Sequence, residues 1–198
     1  MQEEETVQSL ERQIAELSQR LIAKRAEVAP VVVANYEFAT TEGSVRLLDL
    51  FGEHEYLLVV HNMGTFCSYC TLWADGINAF VPHLESVVSL VLVSKDAPQV
   101  QRAFANDRGW RMRLASHGGG EYLIEQVNAE GMENYPGIAC YRRDGDRILR
   151  ISSSVFGPGD LYCSIWHLLG LAGIGLGDWA PKKSYLPQDN AHPPSAGD

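Results

Sequence analysis

Residues 87–94 read Val-Val-Ser-Leu-Val-Leu-Val-Ser, an apolar run with almost no alternation. A strand with one face in water alternates polar and apolar residues. One covered on both faces does not, so this run predicts a central parallel strand between two layers of helices. A second apolar run, Tyr56-Leu57-Leu58-Val59-Val60, precedes it. Between them Leu72, Trp73, Ile77 and Phe80 fall at helical spacing, predicting a helix over about 67–85. Strand, helix and strand in that order point to an α/β fold. With 198 residues, 45% of them apolar, the chain is long enough to bury a full core as one domain with appendages.

The rest of the chain extends this pattern. Tyr36-Glu37-Phe38, a turn through Thr41-Glu42-Gly43 and the run Val45–Gly52 suit two short strands or a hairpin. Ala97-Pro98-Gln99 opens a helix through Phe104 that stops at Gly109. Residues 138–143 and 147–155 flank Asp144-Gly145-Asp146, a strong hairpin signal. Asp160 is placed to cap a last helix from Leu161 to about Leu171. The order βαβα, then a β-hairpin, then α is that of a thioredoxin-like fold, a central mixed sheet flanked by helices.

An extra helix leads the chain. Val7, Leu10, Ile14, Leu17 and Leu21 keep a 3–4–3–4 spacing before Ala29-Pro30 ends the run. The stripe covers barely two heptads, which favours packing on the parent domain over a coiled-coil seam. The expected division is residues 1–30 as this amphipathic helix, 31–172 as the thioredoxin-like domain, and 173–198 as a largely irregular tail whose end is disordered.

A formal charge of −9 argues against a phosphate-tracking nucleic-acid binder. No apolar run approaches the roughly 20 residues of a membrane span. Met-Gln-Glu-Glu-Glu lacks the features of a secretory signal, so a cytoplasmic protein is expected, with a homodimer possible.

The chemistry concentrates at Cys67-Ser68-Tyr69-Cys70, where the apolar strand gives way to the helix. Two thiols on a first helical turn can close a disulfide, and the unpaired N–H groups there favour a thiolate. Cys67 is the expected nucleophile and Cys70 the resolving thiol. Cys140 and Cys163 read as packed small hydrophobes. Tyr135-Pro136-Gly137 precedes the hairpin at the place where thioredoxin folds carry a cis-proline facing the cysteines. A cis Pro136 is therefore expected to shape a substrate groove with Tyr135, Phe66 and Tyr69. His61 stands six residues before Cys67, the offset at which thioredoxins carry a buried acid, and is a candidate proton relay for Cys70. Trp73, Phe80 and Trp110 are read as core, and Asp75 and Asn78 as solvated.

Tyr36-x-Phe38, Asp49-Leu50-Phe51-Gly52, His61-Asn62-Met63, the string Cys67 to Gly76 containing Trp73-Ala74-Asp75-Gly76, Val81-Pro82-His83-Leu84 and Arg143-Asp144-Gly145-Asp146 together resemble a bacterial family of thioredoxin-like proteins. Its members are described as predicted dithiol-disulfide oxidoreductases of unknown physiological role. The resemblance spans roughly residues 5–180 and implies a thioredoxin-like fold with a dithiol at Cys67 and Cys70.

The expected activity is thus thiol–disulfide exchange with a protein or small-molecule thiol or disulfide, without a cofactor. Two rivals stand beside it. A thiol peroxidase fits the Tyr-x-Phe and Asp-Leu-Phe-Gly lead-in, but the P-x₃-T-x₂-C spacing of peroxiredoxins is broken at Gly64-Thr65-Phe66-Cys67. A binding module for a metal or a partner protein would keep the fold without turnover. One C-x-x-C without a second, and no closely spaced histidines, leave a zinc site two ligands short, so no metal is expected.

Overall fold

The two apolar runs pair as parallel neighbours at the centre of an eight-stranded sheet. A computed structural model describes residues 5–128 and 133–185. In chain order the elements are α1 (Val7–Glu27), β1 (Val31–Val33), β2 (Glu37–Thr40), β3 (Gly43–Arg46), β4 (Tyr56–His61), α2 (Ser68–Ala79), α3 (Val81–Leu84), β5 (Ser89–Ser94), α4 (Pro98–Arg108), β6 (Arg113–Ser116), β7 (Gly137–Asp144), β8 (Arg147–Val155) and α5 (Ile165–Leu171). The strands lie in the order β1-β8-β7-β4-β5-β6-β2-β3. β4 and β5 pair in parallel, as do β5 and β6, while the β7–β8 hairpin joins β4 antiparallel. This is the thioredoxin-like α/β architecture expected from the sequence, preceded by an N-terminal helix.

All six residues of β5 are buried, as a strand covered on both faces requires. Two apolar layers result. Leu57 and Val59 of β4 face one, with Phe38, Phe51 and Tyr141; Val60 faces the other, with Trp73, Ala74 and Ile77 of α2.

Several local expectations shift. The helix after the cysteines stops at Ala79 because Pro82 lacks the N–H needed to continue it, and α3 restarts as one turn. Phe80, at that break, is 53% exposed and not core. α4 runs to Arg108, with Gly109 at φ 67° closing it in the left-handed region. Asp160 accepts from the Tyr162 and Gly157 N–H groups and so caps a turn; the helix proper begins at Ile165. β1, β6 and a π-helical turn over Leu123–Val127 were not foreseen.

The largest departure is α1. A capping box between Thr6 and Ser9 fixes its start, yet none of its residues is buried. The expected packing of its apolar stripe on the domain is absent. Its side-chain anchor to the domain is at the far end, where the Arg25 guanidinium donates to the Tyr162 hydroxyl at 2.7 Å. Residues 173–185 form no helix or strand, but Trp179 packs edge-on against Trp166 and the Lys183 carbonyl accepts from Arg108 at 3.0 Å. The expected disorder of the chain's end concerns residues beyond 185, outside the described ones. Among the described residues no helix is long and apolar enough to cross a membrane.

Candidate active site

β4 delivers the chain to Asn62, whose side-chain oxygen accepts from the Gly64 N–H at 2.8 Å. Asp96, just after β5, accepts from the Thr65 N–H at 2.7 Å. These two bonds fix the short loop that sets Cys67 at the N-cap of α2. Gly64 is needed there: its φ of 131° is left-handed, and a Cβ would lie 3.0 Å from both Asp96 oxygens.

At the N-cap the Cys67 sulfur takes the place of a capping oxygen and accepts the Cys70 N–H at 3.1 Å. A hydrogen bond from the Cys70 side chain, then the backbone N–H groups of Cys70 and Tyr69 and the charge of Lys183, pull the Cys67 thiol down to about 6 against the opposing effect of burial. Cys70 is buried and moves the other way. It gives its proton to the bond with Cys67, and desolvation adds to the upward shift. All four cysteines are free thiols in this structure. The arrangement is one half-exposed thiolate backed by one protonated, buried thiol on the same helical turn.

The surroundings of the pair are aromatic. Phe66, beside Cys67, is 57% exposed. Tyr69 stacks on Trp166 with ring centroids 6.3 Å apart and tilts against Trp73. Asp75 is not simply solvated. It binds Arg108 through both nitrogens of the fork and accepts the Trp110 indole N–H at 2.7 Å, joining α2 to α4 and, through Arg108, to the segment carrying Lys183. Asn78 likewise bridges to Gly109 and Arg111. Sequence reading missed both because their partners lie more than 30 residues further along the chain.

The loop before β7 does approach the cysteine loop: the Asn134 amide donates to the Met63 carbonyl at 3.1 Å. Asn134 itself sits at φ 54°. The cis expectation for Pro136 is corrected, since every peptide bond among the described residues is trans. The Pro136 carbonyl accepts from the Phe156 N–H, and Gly137 follows because a Cβ there would meet the Ser154 carbonyl at 2.5 Å.

His61 is also corrected. Strand parity puts it with Leu57 and Val59, on the sheet face away from α2, where its Nε2 bonds the Tyr122 hydroxyl at 2.7 Å. Its ring stands edge-on to Tyr122. Desolvation first, then the nearby His117 and Arg150, push its pKa down to about 3, so the imidazole is neutral. The network continues through Tyr141 to Gln126, which also binds Arg150 and Tyr36. Among the described residues no hydrogen bond joins it to Cys70. Cys140 is half-buried on β7 with its thiol raised to about 11 by burial, and Cys163 is buried with its thiol also raised. Among the described residues no three of His, Cys, Asp and Glu gather into a group able to hold a metal.

Against known proteins, residues 2–190 match the family described as "Bacterial protein of unknown function (DUF899)". No curated protein matches the chain. Solved structures that resemble it include peroxiredoxin Q of Xanthomonas campestris, at TM-score 0.53 and 16% identity, covering 75% of this chain and 96% of the other. Reduced Prx3 of Vibrio vulnificus gives TM-score 0.52 at 13% identity, covering 73% and 99%. The mitochondrial 2-Cys peroxiredoxin of Plasmodium falciparum gives 0.50 at 13%, covering 73% and 90%. At these identities the likeness establishes a shared thioredoxin-type fold.

Proposed function

The chain belongs to this DUF899 family, and we propose that it is a thiol–disulfide oxidoreductase working through Cys67 and Cys70. One observation carries the reading: Cys67 caps α2 with its thiol held at about 6, while the buried Cys70 retains its proton. At neutral pH Cys67 is mostly thiolate, the nucleophilic form, and Cys70 is held in reserve. The thiolate attacks one sulfur of a substrate disulfide. The substrate S–S bond breaks, a mixed disulfide forms, and the second sulfur leaves as a thiolate that takes up a proton. Cys70 then loses its proton and attacks the Cys67 sulfur, releasing the remaining substrate thiol and closing Cys67–Cys70. Two electrons pass to the substrate, and a reducing thiol restores the pair.

Phe66 and Tyr69, with Tyr135 and Pro136 on the facing loop, are the groups that a substrate would meet. The acidity of Cys67 lies between those of thioredoxin, near 7, and DsbA, about 3.5.

A second reading is favoured by the peroxiredoxin-like architecture. There the Cys67 thiolate attacks a peroxide O–O bond, giving a sulfenic acid and an alcohol, and Cys70 condenses with it to expel water. Insulin reduction with dithiothreitol, set beside peroxide consumption with the same reductant, separates the two. Insulin turnover with negligible peroxide loss supports the exchange reaction; the converse assigns the peroxidase. In either case the alkylation rate of Cys67 should reach half its plateau near pH 6, and a midpoint near 8.5 would remove the observation on which both readings rest.

A further inference from the structure

Two apolar surfaces lack a partner among the described residues, and they complement each other. The first is α1. Ile14 and Leu17 at its middle are 57% and 56% exposed, and Val7 is 73% exposed. The helix is tied down near Arg25, so at 1.5 Å per residue Val7 stands about 27 Å away along its axis. The second is a groove of about 460 Å³ on the α2 side of the sheet, walled by Leu58, Ile77, Leu84 and Ile138 and rimmed by Phe80 and Leu161, which are 53% and 55% exposed. Cys140 also lines it, and Arg25 and Tyr162 stand at its edge.

Charge selects the occupant. The first half of α1 carries Glu11 and Glu16 behind Glu5, with Arg12 the one cation. The second half carries Arg20, Lys24 and Arg25, with Glu27 the one acid. Lys24 pairs with Glu27, but Arg25 has no carboxylate partner among the described residues. When the two-fold axis crosses the helices at right angles, the two copies of α1 run antiparallel, which brings the acidic half of each beside the basic half of the other. Arg25, from that basic half, lines the groove.

We propose that the protein is a two-fold dimer in which α1 of each protomer lays Val7, Leu10 and Ile14 into the groove between α2–α3 and β7–β8 of its partner. The contact is isologous, each groove receiving one helix and each helix filling one groove. It would cover the apolar stripe and bring acidic side chains to Arg25.

Sedimentation or light scattering at micromolar concentration should give twice the 21.9 kDa chain mass. Two double variants divide the interface, Leu10→Glu with Ile14→Glu on the helix and Phe80→Glu with Leu161→Glu on the groove rim. All four positions are at least 40% exposed, so the monomer fold has little reason to change, and circular dichroism checks it. Each pair should weaken the dimer by roughly 100-fold, and alkylation of Cys140, followed by mass spectrometry, should speed up in both. A monomeric wild type overturns the proposal. So does a dimer sensitive to the helix pair and indifferent to the groove pair, which would mean helix-to-helix pairing. A monomer whose Cys140 is shielded by a co-purified apolar molecule would assign the groove to a small ligand instead.

Discussion

The two faces of the central sheet are held together by different physics. Away from α2, His61, Tyr122, Tyr141 and Gln126 form a chain of directed hydrogen bonds through a buried layer. On the α2 side, Trp73, Phe156, Tyr69 and Trp166 stack or tilt against one another, and the buried indole N–H groups of Trp73 and Trp166 find no partner among the described residues. A hydrogen-bonded layer admits few alternative arrangements, whereas a stacked one can repack at small cost. Cys67 and Cys70 stand on the stacked side, at the start of α2. With the proposed chemistry at the thiols, the difference predicts rigidity on one face and reactivity on the other, and substitutions on each can test that division.

The largest effect should come from the dithiol. Cys67→Ser should reduce turnover to background, and Cys70→Ser should accumulate mixed disulfides on Cys67. Differential alkylation after mild oxidation should find Cys67 joined to Cys70, with Cys140 and Cys163 outside the bridge. A bridge to either of those would break the assignment.

The mirror experiment is His61→Ala on the opposite face. It removes a packed ring and a hydrogen bond to Tyr122, and chemical denaturation should show a loss of about 2–4 kcal/mol. Cys67 alkylation and turnover should stay within about twofold, since general acid–base roles are worth about 10²-fold or more. A slowed resolving step would restore His61 as a relay and blur the two faces.

Acid should act through the same layer. His61 at about 3 and His117 at about 4 stay neutral when folded, while in the unfolded chain they take up protons near the ordinary 6.5. The unfolded state therefore binds more protons between those limits, and stability should fall as pH drops from about 6.5 toward 4. The His61→Ala variant should show a shallower acid slope than the wild type; an identical slope would show that other groups carry it.

The smallest expected effect crosses between segments. Lys183→Ala should raise the Cys67 midpoint by only a few tenths of a unit, because exposed charges act weakly through water. Asp75→Asn, which loosens the Arg108 link to that segment, should match it in direction.

Much of this architecture was legible from runs of apolar residues. The non-alternating run gave β5, and Asp144-Gly145 gave the β7–β8 hairpin, with Gly145 at φ 60°. β6 was hidden because Arg113–Ser116 is short and its pairing with β2 rests on one register pair, Ala39 with Ser116. The face of His61 was hidden for a deeper reason. In a strand buried on both sides nothing in the pattern says which parity the following helix will cover. The placement of Cys67 and Cys70 on one helical turn was legible, because C-x-x-C spacing is local. The loop opposite, from Asn134 to Pro136, depends on contacts some 70 residues apart, and the cis expectation placed on it by analogy did not hold.

Trp73 lies three residues beyond Cys70, on the same side of the helix, with its indole shielded from water. An indole close to a disulfide loses emission to it, and a dithiol quenches less. Closure of the proposed Cys67–Cys70 disulfide should therefore lower Trp73 emission, a change readable in a cuvette without label or coupled enzyme.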